Sequence, residues 1–221
     1  MRAERRLNES ADERERRRIQ VGEQLAAALL PTLLHRVNNT TQLIVAVRAL
    51  AALQPLQLPE RSSHDLAHAA HESHVNGWLL GVLARGLGAD LLLARENYDG
   101  LLPTLELVRE ALLRERCELA FAVEELPRLC RCPDAPDSAD LCASIAALLC
   151  TSAGSLGATK RVALAFVRGA MQHALNVDAG WCAELRTTFE DLDLQRRGCE
   201  LRAESQGWSL RIPAAWLSFR P

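Results

Sequence analysis

The 221-residue sequence is poor in aromatic residues, with four Trp, one Tyr and four Phe, so leucine and alanine have to fill its core. Both residues lose little conformational freedom in a helix, which favours a helical fold. The net charge is only −2, which gives no electrostatic footprint for nucleic acid. No apolar run is long enough to cross a bilayer, and the charged segment 1–20 is not signal-like. We therefore expect a soluble, cytoplasmic protein without nucleic-acid or membrane partners.

The cysteines also lack a metal-binding arrangement. They lie at Cys117, Cys130, Cys132, Cys142, Cys150, Cys182 and Cys199. Cys130 and Cys132 form the only close pair, and the second half of a zinc site is missing. We interpret the cysteines as small buried apolar residues in a reducing compartment, with a metal or redox role as the alternative.

One stretch, residues 33–44, places a histidine, an arginine and two asparagines inside a long apolar helix pattern that runs from Val21 to Leu53. Apolar positions recur there at alternating spacings of four and three, which predicts the heptad seam of a helix packed in a bundle. The seam consists of Ala26, Leu30, Leu33, Val37, Thr40, Ile44, Val47 and Ala51. His35 points away from this seam, and Pro31 is expected to kink the helix one turn before it.

Two prolines within residues 54–61 end this helix, and a second helix is predicted from a cap at Ser62 or Ser63 to about Leu87. The short connector makes the two helices an antiparallel hairpin. A lone hairpin cannot bury both of its apolar faces. We therefore predict that two copies form a four-helix bundle, so that the protein is a homodimer.

In this hairpin His35 is expected to lie level with Gly77, Trp78 and Gly81, where two glycines leave room beside the imidazole. The second helix also carries a stripe of histidines at spacings that can chelate a metal ion. These are His64, His68, His71 and His74. No acidic or cysteine partner completes such a site, so a solvated or dimer-facing surface is the simpler interpretation and the metal question stays open.

The C-terminal part of the chain mixes helical and strand patterns. Helices are predicted over residues 101–116, 141–151 and 184–197, and strands over 117–123, 161–167, 173–177, 199–204 and 208–212. This order predicts an α+β sandwich, a mixed sheet with helices on one face. We divide the chain into a helical hairpin over residues 1–90 and a second domain over residues 91–221.

The segment that begins at His35 resembles the H-box of sensor histidine kinases, closest to the subgroup whose box reads H-R-V-K-N-N-L-Q. The matching positions are His35, Arg36, Val37, Asn39 and Gln42. The order of elements is similar to a dimerisation and histidine-phosphotransfer hairpin followed by a kinase-type ATP-binding domain. The resemblance implies that His35 is the phospho-acceptor. Asp178 and Gly180 match the adenine-reading D-x-G-x-G motif, although Asp178 is also typical of a simple turn.

The departures from the family pattern concern ATP. Ala147 and Thr151 stand where the family has asparagines that hold Mg²⁺ and phosphate, and neither is a strong magnesium ligand. Cys182 replaces the second glycine of D-x-G-x-G, and the next helix is predicted to begin at about Ala183, which leaves no room for a lid over the phosphates. Phosphoryl transfer from ATP depends on positioning and charge neutralisation. We therefore predict a degenerate domain that neither hydrolyses ATP nor phosphorylates itself and that uses no cofactor.

The chemistry left at His35 is transfer between its imidazole and a response-regulator aspartate. Arg36 cannot accept a proton but can pair with phosphate oxygens, and Asn39, one turn on, can hydrogen-bond the imidazole, the phosphoryl group or a water. The sequence therefore predicts a histidine phosphotransfer protein whose partner is a receiver domain. The alternatives are a divergent active histidine kinase and a non-catalytic dimeric scaffold.

Overall fold

Two long helices lead the chain and pack against each other as an antiparallel hairpin. The computed structural model describes residues 10–53, 60–89, 100–130, 137–156, 161–179 and 181–219. Helix α1 spans Ala11–Leu53 and helix α2 spans Glu60–Gly86. None of the helices in these ranges combines the length and the apolar character that crossing a bilayer requires.

A capping box starts α1 at the boundary of the described residues. The Ser10 hydroxyl accepts a hydrogen bond from the Glu13 N–H at 3.2 Å, and the Glu13 carboxylate accepts one from the Ser10 N–H at 3.0 Å. This reciprocal pair satisfies two backbone donors that a helix otherwise leaves unpaired. The helix therefore begins ten residues before the predicted start at Val21 and runs through Pro31 to Leu53.

Two contacts set the register of the hairpin. Gly22 of α1 lies directly against Gly86 of α2, where a Cβ on Gly22 would be only 1.9 Å from the Gly86 carbonyl oxygen. Nearer the hairpin turn, the Asn76 amide donates to the Thr40 hydroxyl at 3.4 Å. His35 lies between these contacts along α1, so its level on α2 falls near residues 77–81, as the sequence predicted.

The rest of the described chain forms three α-helices, seven strands and two single-turn 3₁₀ helices, Val123–Glu125 and Ala214–Trp216. The helices are α3 (Leu101–Arg114), α4 (Ser138–Gly154) and α5 (Ala183–Asp191). The strands are β1 (Glu118–Ala120), β2 (Arg128–Leu129), β3 (Arg161–Val167), β4 (Gln172–Asp178), β5 (Glu200–Glu204), β6 (Gly207–Pro213) and β7 (Leu217–Ser218). The mixed α+β class predicted from the sequence is confirmed.

The main sheet has five strands in the order β1-β3-β4-β6-β5, and β2 pairs with β7 in a separate two-stranded ribbon. Strand β1 is parallel to β3, and the other pairs of the main sheet are antiparallel. Side chains alternate strictly between buried and exposed along β3 and β4. The buried positions of neighbouring strands face one another, as Phe166 opposite Leu175 does, so the apolar side chains line one face of the sheet.

The hairpin and the sandwich share one core. Buried apolar residues of α1, such as Leu25 and Leu29, belong to the same cluster as those of the sheet and α4. Ion pairs reinforce the junction: Arg17 with Asp191 at 3.1 Å, Arg18 with Asp140 at 2.8 Å, and Arg85 with Asp137 at 2.7 Å. The charged start of α1 is therefore anchored to the sandwich. The domain boundary predicted between residues 90 and 91 lies outside the described residues.

The predicted heptad seam of α1 divides between two faces of the helix. Leu33 and Val47 are buried, whereas Leu30 and Ile44 are each 37% exposed. The reason is that α1 contacts α2 on one side and α3, α4 and α5 on another. The buried row of its N-terminal half therefore runs through Val21, Leu25 and Leu29 instead of Ala26 and Leu30.

Several boundaries also differ from the predictions. Helix α2 begins at Glu60, so Ser62 lies inside it and is buried, and neither Ser62 nor Ser63 is the cap. Helix α5 ends at Asp191, because residues 192–198 form turns that include positive φ angles at Asp193 and Gly198. The short strands β2 and β7 were not predicted, since two-residue strands have no periodic pattern.

Candidate functional site

His35 lies on the solvent side of α1. Its side chain is exposed, while Leu33 two residues earlier is fully buried. Because successive residues of an α-helix are rotated by about 100°, the His35 side chain points away from the row of α1 residues that contacts α2. It lies on the side of α1 on which the sandwich also lies. A nucleophile in this position is open to a partner that approaches from outside the hairpin.

The amide of Asn39 contacts this imidazole. Asn39 Nδ2 lies 3.2 Å from His35 Nε2, one helical turn away. The amide nitrogen can only donate, so Nε2 accepts and carries the lone pair, while the proton of the neutral ring is on Nδ1. Nε2 is also the atom that faces the side chain of Asn39. The nitrogen available for nucleophilic attack is therefore the one that Asn39 contacts.

Arg36 points in a different direction from its neighbour. Its Nε and Nη2 donate to the two carboxylate oxygens of Glu110 on α3, at 2.8 and 2.5 Å. The hydrogen bond to Glu110 raises the pKa of Arg36 above its ordinary value, against the opposing effect of burial. The guanidinium that the sequence predicted as a phosphate ligand is thus engaged with a carboxylate, and a phosphoryl group would have to displace Glu110 to use the same two donors.

Glu110 is the residue of this site that the sequence did not reveal. It is separated from Arg36 by 74 positions, and it lies in a helix whose charge pattern has nothing unusual. The pairing exists only because α3 packs against α1. No local signal could have identified it.

A cleft of about 620 Å³ opens between α1, α4 and α5. Its described lining residues are Val21, Gln24, Leu25, Ala28, Ala147, Cys150, Thr151, Gly154, Ser155, Glu184 and Thr188. Ala28 precedes His35 by two helical turns, about 10 Å, and lies on the same face of α1. The cleft therefore opens on the side of the hairpin that carries the histidine.

The described residues that line the cleft are mostly uncharged. Ala147 and Thr151, the positions where the sequence predicted lost magnesium ligands, both lie in it. Ala147 is buried, and the Thr151 hydroxyl is 3.2 Å from that of Thr188. Glu184 is the single charged residue among the described lining residues. The described lining therefore presents hydroxyl groups and one carboxylate, and it contains no basic side chain.

The described residues of the D-x-G-x-G counterpart are not among those that line this cleft. Asp178 ends β4 and is exposed, and its alternation with buried Val177 directs its side chain to the open face of the sheet. Gly180 lies outside the described residues. The Cys182 sulfur accepts a hydrogen bond from the Leu185 N–H at 3.3 Å and so caps α5. Because α5 begins at Ala183, the segment after β4 is as short as the sequence predicted.

The other candidate ligands are not arranged around a metal. His64, His68, His71 and His74 are all exposed along α2, and no group of three or more His, Cys, Asp or Glu side chains within the described ranges could hold a metal ion. Cys130 is partly buried, and its neighbour Cys132 lies outside those ranges.

Comparison with known proteins leaves the family open. No protein-family model matches this chain, and no curated protein matches it significantly.

Proposed function

We propose that this chain is a histidine phosphotransfer protein of a two-component signalling pathway, which relays phosphoryl groups to or from response-regulator aspartates through His35. The main support for the proposal is that the His35 imidazole is exposed on the helical hairpin and that its Nε2 atom accepts a hydrogen bond from the Asn39 amide. The resemblance of residues 35–44 to the H-box of sensor histidine kinases supplies the reaction class. The partner is then a receiver domain that carries an aspartyl phosphate.

In the proposed step, His35 Nε2 attacks the phosphorus of the partner's aspartyl phosphate. The Nε2–P bond forms as the P–O bond to the aspartate breaks, and the aspartate leaves as a carboxylate. The imidazole keeps its Nδ1 proton throughout. The Asn39 amide must give up its bond to Nε2 as phosphorus approaches, and it can then donate to a phosphoryl oxygen instead. The reverse step passes the group to a second receiver domain.

The second part of the chain supports transfer over autophosphorylation. We infer that the sandwich is a degenerate kinase-type ATP-binding domain, since its mixed sheet shares one apolar core with the helices while its cleft has alanine and threonine where the resemblance implies magnesium ligands. Four ion pairs between the hairpin and the sandwich, together with their shared core, favour a fixed arrangement over a kinase domain that swings towards the histidine.

We further propose that the protein acts as a homodimer through what we call the open face of the hairpin. On both helices this face lies opposite the side that contacts the sandwich, and it consists of Leu30, Leu34, Thr41, Ile44 and Val45 of α1 and Leu66, Ala70, Ser73 and Gly77 of α2. Leu34 and Val45 are 54% and 60% exposed, and none of the nine residues named for this face is charged, although exposed Arg48 lies four residues after Ile44 on the same side of α1. A second copy would bury the same face and complete a four-helix bundle.

Transfer is tested by incubating the chain with receiver domains that have been charged with radiolabelled phosphate. We expect label on the wild type and on His64→Ala, which removes another exposed histidine on α2, and none on His35→Ala. Equal labelling of the wild type and His35→Ala, or labelling of neither, would reject the proposal. Calorimetric titration with Mg-ATP is expected to give no binding heat at millimolar nucleotide, and binding would favour a divergent kinase.

The dimer is tested separately by light scattering. Leu34→Glu is expected to give monomers, because it places a charge on the open face, whereas Arg114→Glu at the end of α3 is expected to leave the dimer intact. A monomeric wild type would reject the four-helix bundle without affecting the transfer reaction.

A further inference from the structure

Immediately beside His35, a polar contact connects α1 to the sandwich. Arg36 is the next residue after the histidine, and its guanidinium forms a two-point pair with Glu110. The Arg36 side chain is 16% exposed, while that of Glu110 is 43% exposed. Two parallel N–H···O bonds fix a planar guanidinium in both distance and orientation.

The rest of the environment keeps Arg36 in this place. Thr32, one turn earlier and on the same side of α1, is 1% exposed, so this side of the helix is covered around Arg36. Glu106 and Glu72 are also close enough to act on the Arg36 charge. The guanidinium therefore lies in a negative environment formed by α2 and α3, which opposes its release towards solvent.

The pair is also far from the other ion pairs between α1 and the sandwich. Arg18, which contacts Asp140, precedes Arg36 by 18 positions, or about 27 Å along the helix. Within the described residues, Arg36–Glu110 is the ion pair that connects α1 to the sandwich at the level of His35. Loss of this pair would leave the rotation of that helical turn less restricted.

We propose that Glu110 is a positioning residue for the His35 reaction, which acts by holding Arg36 and thereby fixing the orientation of the helical turn that presents the imidazole. This inference rests on the proposed phosphotransfer function. In this role Arg36 does not bind the phosphoryl group, because its guanidinium stays paired with Glu110 on α3. Other groups then bind the charged phosphoryl oxygens. The alternative is that Arg36 leaves Glu110 and binds the phosphoryl group directly.

The two roles make opposite predictions for Glu110→Gln. This variant keeps the size of the side chain but removes the charge that holds the guanidinium. If Glu110 is a positioning residue, the maximal rate of transfer from a labelled receiver domain falls about tenfold while the KM for that domain stays nearly constant, because misorientation affects the step within the complex. If Arg36 is a phosphate ligand, freeing it leaves the maximal rate unchanged or raises it.

Glu118→Gln is the matched control. It also replaces an exposed carboxylate that pairs with an arginine, but the partner is Arg161 on β3, at 3.9 Å, and not Arg36. We expect it to transfer at the wild-type rate. Thermal unfolding of every variant separates loss of folding from loss of positioning.

The outcomes distinguish the two proposals. If Glu110→Gln transfers at the same maximal rate as Glu118→Gln, the positioning role is overturned and His35 transfer stands. If His35→Ala takes up label as the wild type does, the transfer function itself fails.

Discussion

The close crossing of α1 and α2 makes Gly22→Ala the most direct test of the described arrangement. A Cβ at this position would lie 1.9 Å from the Gly86 carbonyl oxygen, 2.3 Å from the Gly86 carbonyl carbon and 2.9 Å from the Leu87 nitrogen. Non-bonded carbon needs a separation of roughly 3.5 Å. All three obstacles are backbone atoms, so no side-chain rotation can relieve the contact, and the helices would have to move apart by ~1.5 Å.

The expected loss follows from two opposing effects. Overpacking at a tight contact costs about 1–3 kcal/mol, and a backbone obstacle places this substitution at the upper end. Alanine in place of glycine inside a helix contributes about 1 kcal/mol in the favourable direction. We expect the free energy of unfolding to fall by about 2 kcal/mol. For a chain of this length, that change lowers the melting temperature by about 4–8 °C.

Urea unfolding followed by far-ultraviolet circular dichroism measures this change. Gly154→Ala is the matched control, since a Cβ at that position in the last turn of α4 meets no atom within 4 Å. We expect the control to be neutral or slightly more stable than the wild type. If Gly22→Ala unfolds at the same urea concentration as Gly154→Ala, the close crossing is wrong, and the level of His35 on α2 is wrong with it.

Three further predictions concern the sandwich. The buried His173 imidazole accepts a hydrogen bond from the Gly169 N–H and donates one to the Leu217 carbonyl, so His173→Phe should lower the free energy of unfolding by about 2 kcal/mol; an unchanged urea midpoint would contradict this. Asp140→Asn weakens the ion pairs with two arginines and is expected to destabilise the chain by about 1 kcal/mol in low salt and by less in high salt, which a salt-independent loss would refute. Burial raises the pKa of Cys199 to about 12, whereas an unfolded thiol titrates at about 8.5. The contribution of this thiol to stability is therefore complete below about pH 8.5 and is lost as the pH rises towards 12. Iodoacetamide labelling with peptide mapping at about pH 8 should therefore leave Cys199 unmodified in the folded chain and modify it in urea, and rapid labelling under native conditions would show that the thiol is accessible.

Local sequence patterns predicted the helices and strands of this fold more reliably than they predicted the contacts between them. The alternation of Arg161–Val167 matches β3 at both ends, and the helix periodicity around His35 correctly gave an exposed imidazole with Asn39 one turn away. These features depend on residues that are close in the sequence and repeat with a fixed period. The capping box at Ser10 was equally local and would have placed the start of α1 correctly.

The sequence did not predict which residues are paired across the junction. Arg36 has the chemistry of a phosphate ligand, and only the packing of α3 against α1 gives it Glu110 as a partner. The heptad pattern of α1 likewise contains residues of two faces, because Leu33 faces the hairpin interior and Leu30 lies on the open face. Periodicity identifies an apolar row, but it does not identify the surface that covers the row.

The sequence by itself thus determined a helical hairpin with an exposed histidine, followed by a mixed α+β part. The tertiary structure alone decided that Ala147 and Thr151 line a cleft on the side of α1 that carries His35, and that Arg36 is held by a carboxylate. The physical reason is that helix propensity, capping and alternation act over a few residues. Ion pairs and clefts depend on the docking of segments that are far apart in the chain.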